Sequence, residues 1–564
     1  MALPLAIIVY HERKAMNGLL LCVIAYVGFI IAYKTYGRFL GKKLFDLSKN
    51  AVTPAHEIND GIDYVPTKKE ILFGHHFTSI AGTGPIVGPA IGVIWGWVPA
   101  LIWVFLGSIF MGAVHDFGAL VISARNKGKS IGEVTKDLVS PTSRILFLFV
   151  IFFCLVIVVS IFAMIISILF TMYPTAVFPV WMEIPIAIAL GYYIYKRNTN
   201  ITVLSIVAVI IMYITVFIGT YIPIKMPGII AGSPLVTWLI ILIIYAYIAS
   251  VLPVQTLLQP RDYINSHQLI IAMALLLLGL IIVHPHISAP AFASAPKGTP
   301  PIWPFLFITI ACGAISGFHS LVSSGTSSKQ LANEQHAQFI GYGSMLMEGA
   351  LAVIVIIACT AGLGNLQAWT ARYTDWAVAS GLGAKLSAFV DGASTFLTAL
   401  GIGKTLAATI LGVFIVSFAA TTLDSATRIQ RYIVTELAEN FKIKILTKRH
   451  AATAFVIICA LLLALAKPDG MGAMVLWPLF GASNQLLAGL ALMVITVYLY
   501  KKKKPIYYTA LPMVFMVIMT GWGMIVNIID FYHSGNWLLF FINGIIILFV
   551  VWMIIEVIRI VKKS

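Results

Sequence analysis

Charged side chains are scarce in this chain: 10% of its 564 residues are Asp, Glu, Lys or Arg, against 60% hydrophobic, and the mean hydropathy is +0.97. A soluble fold needs more polar surface than that, which leaves an all-α polytopic membrane protein as the class. Acid is scarcer than base, 21 residues against 37, for a formal charge of +16. The basic residues sit in short loops between apolar runs, so they report topology and contact with anionic lipid in the bilayer, and no nucleic acid is expected as partner. Cysteine is rare too. Cys22, Cys154, Cys312, Cys359 and Cys459 fall in apolar segments without CxxC spacing, which excludes a disulfide framework or zinc knuckle and reads them as small core residues. No GxxxxGK[ST] and no H-E-x-x-H occurs. With neither a phosphate-cradling loop nor a zinc helix, nothing reads as an ATP-driven pump or an enzyme, and no cofactor is implied. Energy for uphill transport then has to come from an ion gradient.

What the chain has in quantity is long apolar runs. Runs of roughly 18 or more predict about fifteen spans, centred near Ala25, Pro85, Phe110, Ile157, Ala187, Val209, Tyr245, Leu276, Ile310, Val353, Val413, Cys459, Leu486, Ile518 and Leu548. The first, about residues 18–33, has no small-residue cleavage site and is read as a span, not a signal. Lys34, Arg38, Lys42, Lys43, Lys49, Lys68 and Lys69 follow span one, and Arg125, Lys127, Lys129, Lys136 and Arg144 follow span three. The positive-inside rule makes both loops cytoplasmic and puts the N-terminus outside despite Arg13 and Lys14. Residues 384–399, with Lys385 and Asp391, are expected as an outer-face amphipathic or re-entrant helix. That restores parity and places Lys501 to Lys504 and the C-terminus in the cytoplasm.

One stretch departs from an ordinary span. Residues 74–89, GHHFTSIAGTGPIVGP, carry Gly74, Gly82, Gly84, Gly88, Pro85 and Pro89 inside an apolar run. Each Pro removes an N–H donor and each Gly loosens the turn, so backbone groups at membrane depth lose their helical partners. Backbone of that kind survives in a bilayer only against protein or a wet cavity, the usual cradle of substrate or ion in secondary transporters. A kinked structural helix is the bland alternative. A second interruption is expected in span seven, at Val251-Leu252-Pro253-Val254. Two interrupted spans of opposite direction, five helices apart, predict a LeuT/APC-like five-plus-five inverted repeat with extra helices at both ends. The parts are residues 1–73, a transport core at 74–432 (repeats about 74–223 and 235–432), and accessory helices at 433–564.

Ionisable groups inside spans are costly and are functional candidates by default. Asp116 and His115 lie about 22 Å down span three from its outer end, in a layer that His75 and His76 of span two also reach. Three readings stay open for this set: a proton relay, a divalent-metal site, and a structural hydrogen-bonding cluster. Adjacent helix positions diverge by about 100°, which argues against His115 and Asp116 sharing one metal ion. Glu348 stands as an isolated intramembrane carboxylate that needs a partner or a proton. Ser323, Ser324 and Thr326 end span nine with hydroxyls suited to a dehydrated cation or substrate oxygens, or simply to packing. Asp424, Arg428 and Arg431 have helical spacing and read as an interfacial ion-pair set. Residues 477–485, WPLFGASNQ, read as another broken, amide-bearing segment.

At these stretches the sequence resembles the carbon starvation protein A (CstA) family. The islands are Asn59-Asp60-Gly61 with Tyr64-Val65-Pro66, residues 74–92 (GHHFTSIAGTGPIVGPAIG) and 112–133 (GAVHDFGALVISARNKGKSIGE), then 254–265 (VQTLLQPRDYIN), 319–330 (HSLVSSGTSSKQ), 417–432 (SFAATTLDSATRIQRY) and 477–492 (WPLFGASNQLLAGLAL). The resemblance implies an inner-membrane transporter induced on nutrient limitation, taking up peptides or, in some members, pyruvate with protons. The expectation is therefore a symporter for a small carboxylate-bearing nutrient, coupled to protons or, as a sub-case, sodium. In it Gly82, Thr83 and Gly84 offer free amides to the carboxylate, and Gln255, Gln259, Ser323, Ser324 and Thr326 line the opposite wall. His75, His76, His115, Asp116 and Glu348 handle the proton, or the first four a metal. A starvation-responsive sensor or channel without accumulation is the alternative. The sequence does not fix the oligomeric state.

Overall fold

In lipid a chain must satisfy its own backbone, so apolar runs become helices. The computed structural model describes residues 16–197, 200–294 and 296–563, and among these the regular secondary structure is helical, with isolated β-bridges in the connecting segments. The expectation concerning Arg13 and Lys14 lies outside the described residues. Spans α1 (Gly18–Leu44), α4 (Trp97–Arg125), α6 (Pro141–Met172), α7 (Pro174–Tyr195) and α8 (Ile201–Gly219) are long enough to cross a membrane. So are α9 (Pro234–Val251), α10 (Leu258–Val283), α13 (Glu334–Thr360), α17 (Lys404–Asn440), α19 (Gly472–Lys501), α20 (Tyr507–His533) and α21 (Trp537–Arg559). A bent pair, α2 (Lys69–Ile80) and α3 (Gly84–Trp95), raises the number among the described residues from 12 to 13. The expected centres at Ile310 and Cys459 fall short of the length. The first lies between two short helices, α11 (Ile302–Thr309) and α12 (Gly317–Val322), and the second in α18 (Arg449–Ala464).

Local sequence explains where the spans start and stop. Ser140 caps α6 by accepting the Ser143 amide, with Pro141 next to it, where its missing N–H costs nothing. Ser233 and Pro234 do the same for α9. Pro253 does not interrupt a span. Leu252, the residue before it, is forced extended (φ −72°, ψ 151°), which ends α9 at Val251. A turn then leads into α10, so the expected interrupted span seven is a junction between two spans.

The breaks are elsewhere. α2 and α3 meet at 45° across Ala81-Gly82-Thr83, and residues 310–316 leave the helix between α11 and α12. The two breaks pack on each other. A Cβ on Gly84 would meet the Cys312 Cβ and Sγ at 2.4 Å, and one on Gly88 would meet the Thr309 carbonyl at 2.7 Å. Residues 477–485 are not a third break, because Trp477–Lys501 is continuous helix.

The basic loops gather at one end of the bundle. Arg125 donates to Glu334 (2.6 Å) and to the Phe45 carbonyl (2.7 Å), and Lys329 to the Gly128 carbonyl (2.7 Å). Arg428 and Arg431 hold Asp63 there. At the other end α14 (Leu366–Arg372), α15 (Trp376–Ser380) and α16 (Leu382–Ala399) lie over the bundle, with α16 against α3, α10, α13 and α17. The short helix α5 (Ile131–Leu138) takes the matching place against α6 and α19 at the basic end.

Candidate functional site

A cavity of about 690 Å³ opens over the two breaks. Gly82, Thr83 and Gly84 line it, together with Cys312 and Ser316 of the facing break, Phe162 of α6, Thr422 of α17 and Asn484 of α19. The first amides of α3 with a backbone acceptor are those of Ile86 (3.2 Å) and Val87 (2.9 Å), both on the Thr83 carbonyl. Pro85 has no N–H, so ahead of Ile86 this end of α3 offers the single amide of Gly84, at the cavity wall. Asn484 pins the other break: its side-chain oxygen accepts the Phe318 amide at 2.9 Å and its nitrogen donates to Ser316 at 3.0 Å.

Beside the breaks, three helical segments carry a π-type turn: residues 108–112 of α4, 323–327 directly after α12, and 338–342 of α13. An extra residue of this kind shifts the register of the helix downstream and recurs at functional sites. Here they precede His115 and Asp116, carry the Ser-rich stretch, and precede Glu348. A Cβ on Gly112 would meet the Ala314 carbonyl at 2.3 Å, so only glycine lets α4 approach the second break this closely.

Two fully buried polar networks result. In the first, His115 Nδ1 donates to Asp116 Oδ1 at 2.7 Å and His319 Nδ1 lies 3.1 Å from Asp116 Oδ2. Glu348 Oε1 accepts the Gly313 amide of the second break at 2.8 Å, so this carboxylate is not isolated. His319 Nε2 and Glu348 Oε2 stand 3.3 Å apart without an aligned hydrogen bond. With Nδ1 committed to Asp116, one proton belongs either to the imidazole at Nε2 or to Glu348. The pair is chemically a site that can hold and release a proton.

In the second network His75 Nδ1 lies 2.6 Å from Asp262 Oδ2, and Arg261 Nη2 donates to Asp262 Oδ1 at 3.0 Å. Arg261 Nη1 also pairs with Asp424, which accepts from Tyr245 at 2.9 Å. Asp262 and Asp424 face one guanidinium, with the buried Glu183 close by, so the acids outnumber the cation and neutrality in this buried place requires protons on His75 or on the carboxylates. Between the networks His76 Nδ1 meets the Ser327 hydroxyl at 2.8 Å.

The carbon starvation protein CstA family matches this chain over residues 17–380 and 361–523. The chain belongs to that family. The peptide transporter CstA of Campylobacter jejuni is 35% identical over 93% of this chain and 82% of its own. The pyruvate/proton symporter BtsT of Escherichia coli K12 is 33% identical over 93% and 83%. The peptide transporter CstA of Bacillus subtilis 168 is 32% identical over 91% of both chains. Among solved structures, MhsT in complex with L-phenylalanine superposes with a TM-score of 0.47 at 12% identity, covering 81% of this chain and 99% of its own.

The island at residues 74–92 spans the first break and the one at 477–492 carries Asn484, yet not every expected residue joins the cavity. Gln259 is buried at the basic end, donating to Thr67 (2.9 Å) and Gln330 (2.6 Å), and Gln255 is half-exposed in the α9–α10 turn. Neither lines the cavity. Nor do Ser323, Ser324 and Thr326. Ser324 and Thr326 bond back to the Ser320 and Val322 carbonyls at 2.7 and 3.2 Å, and the Ser323 hydroxyl is buried without a partner. The expected opposite wall is instead Cys312, Ser316 and Asn484. His75, His76, His115 and Asp116 divide between networks and form no metal set. Among the described residues the group within mutual reach, 4.8 Å, is Cys312, His319 and Glu348.

Asp424 is buried against Arg261, while Arg428 and Arg431 turn to Asp63, so their helical spacing does not make one ion-pair set. Sequence reasoning missed His319, Arg261, Asp262 and Glu183, the last accepting from Ser417. For Arg261 and Asp262 the signal was present, a charged pair inside the CstA-like island at residues 254–265. The string Gly128-Lys129-Ser130-Ile131-Gly132 matches G-x-S-x-G, but Ser130 caps α5 and donates to Glu436 at 2.7 Å, with no strand before it. It is a helix cap and no nucleophile elbow.

Proposed function

We propose that this CstA-family chain is a secondary active transporter that imports a small carboxylate-bearing nutrient, a peptide or a pyruvate-like acid, together with protons. The observation that carries the reading is the pairing of the cavity floor with the His319–Glu348 couple. Glu348 holds the Gly313 amide of the break on which the cavity rests, so a proton arriving at that couple and a nutrient arriving at the floor act on the same backbone. A protonated Glu348 grips Gly313 less firmly, which links occupancy of the two sites. The names of the C. jejuni and E. coli relatives support peptide or pyruvate as cargo and the proton as coupling ion.

The inverted repeat is part of the proposal, with boundaries moved to about residues 69–283 and 302–501. Helix pairings support it: α2 packs on α10 as α12 packs on α19, α9 lies on α6 as α18 lies on α17, and α5 meets α6 and α19 as α16 meets α17 and α10. The α7–α8 hairpin is then an insertion, and fifteen spans result if α11–α12 and α18 both cross. The positive-inside rule supports a basic end in the cytoplasm of an inner membrane, and in this reading the cavity beside α15–α16 faces out. The test is reconstituted uptake of labelled pyruvate and labelled dialanine with and without an inward pH gradient. Accumulation above the outside concentration that an uncoupler collapses supports the reading. A channel or sensor would at most equilibrate the label.

A further inference from the structure

One charged side chain of the cavity has no role in the reading so far. Lys385, in the first turn of α16, is only 6% exposed, lines the same cavity as Gly82 to Gly84, and holds its ammonium 5.3 Å from the centre of the Trp477 ring. Among the described residues it has no ion-pair partner. The acids of its helix and its cavity are Asp391, which pairs with Arg372, and Asp530, which is exposed on α20. Burial alone pushes the Lys385 ammonium down to about 8, so it still carries its charge at neutral pH. A buried ammonium facing an open cavity over an aromatic ring is a costly arrangement unless an anion visits it.

We propose that Lys385 is the carboxylate-recognising residue of the cavity, its ammonium pairing with the free carboxylate of the transported molecule. The inference deepens the transport reading and rests on it. Lys385 is the one full positive charge on the cavity wall among the described residues, and a charged donor attracts a carboxylate more strongly than the neutral amides at the break. A lysine is a point charge on a flexible stem, without the planar fork of arginine. It accepts the carboxylate of a keto acid and the C-terminus of a short peptide equally, and apolar wall residues such as Ile161 and Phe162 suit a small apolar body beside it.

The experiment compares wild type, Lys385→Met and Lys385→Arg in proteoliposomes, with labelled pyruvate and labelled dialanine as separate probes. Methionine keeps the length and apolar stem, so loss of charge is isolated from loss of packing. The expected result is a KM raised about tenfold or more in Lys385→Met, a smaller change in maximal rate, and recovery to within about threefold in Lys385→Arg. A shift for one probe alone supports the site and names the source of its carboxylate. An unchanged KM for both probes overturns the proposal, as does a fall in maximal rate at constant KM that arginine fails to rescue. If wild type concentrates neither probe, the transport reading falls separately. Quenching of tryptophan fluorescence by pyruvate in detergent then still decides the role of Lys385: a weaker Kd in Lys385→Met supports it, an equal Kd overturns it.

Discussion

Glu348 accepts the Gly313 amide at 2.8 Å, so the carboxylate of one span holds a backbone donor that the break in another has freed. A glutamine at 348 keeps an oxygen for that amide and loses only the charge facing His319. An alanine leaves the buried N–H without an acceptor, which costs about 1–3 kcal/mol. Thermal denaturation in detergent is therefore expected to show Glu348→Ala clearly less stable than wild type and Glu348→Gln close to it, while both lose pH-driven uptake. Equal stability of the two variants would contradict the clamp.

The close approach of the two breaks makes a reciprocal prediction. A methyl at Gly84 would sit 2.4 Å from both Cβ and Sγ of Cys312, so Gly84→Ala is expected to separate the breaks and abolish uptake. Removing the opposing side chain should relieve the clash: Gly84→Ala with Cys312→Gly recovers a measurable share of the rate. Full activity of Gly84→Ala alone would mean the breaks do not need this contact.

At the basic end, burial raises the Asp63 carboxyl, but Arg428 and Arg431 outweigh it and hold the group at about 2. The unfolded value is about 3.9. A carboxylate held below its unfolded value stabilises the fold fully above that value, and the contribution fades as pH falls toward the folded one. The stability difference between wild type and Asp63→Asn should therefore be constant from about pH 5 to 8 and roughly halved near pH 3. A difference that stays unchanged at pH 3 would contradict the pairing.

Hydropathy made the helical class and the positions of the spans legible, because length and apolarity are what lipid demands of a helix. The first break was legible as well, since six helix breakers in sixteen residues have few structural uses. The second was not. Residues 310–316 contain Cys312, Gly313 and Ser316 without a proline, whereas Pro253 looked like a break and only ends α9. What unwinds residues 310–316 is tertiary: the Glu348 carboxylate and the Asn484 amide take the freed backbone and hydroxyl groups. His115 and Asp116 show the same limit. Divergence by 100° keeps neighbours off a common third atom, yet their side chains reach each other at 2.7 Å. Gln255 and Gln259 lie outside the cavity because Pro253 ends α9, which puts both at the α9–α10 junction near the basic end.

The central claim is that the buried Asp116–His319–Glu348 set couples the proton to the nutrient. The most direct measurement compares two assays on the same Asp116→Asn proteoliposomes: accumulation of labelled pyruvate or dialanine driven by an inward pH gradient, and exchange of label for unlabelled substrate at equal pH on both sides. Without the carboxylate that orders His115 and His319, pH-driven accumulation is predicted to vanish while exchange persists, because the cavity floor is intact. Accumulation at the wild-type level in Asp116→Asn would contradict the account.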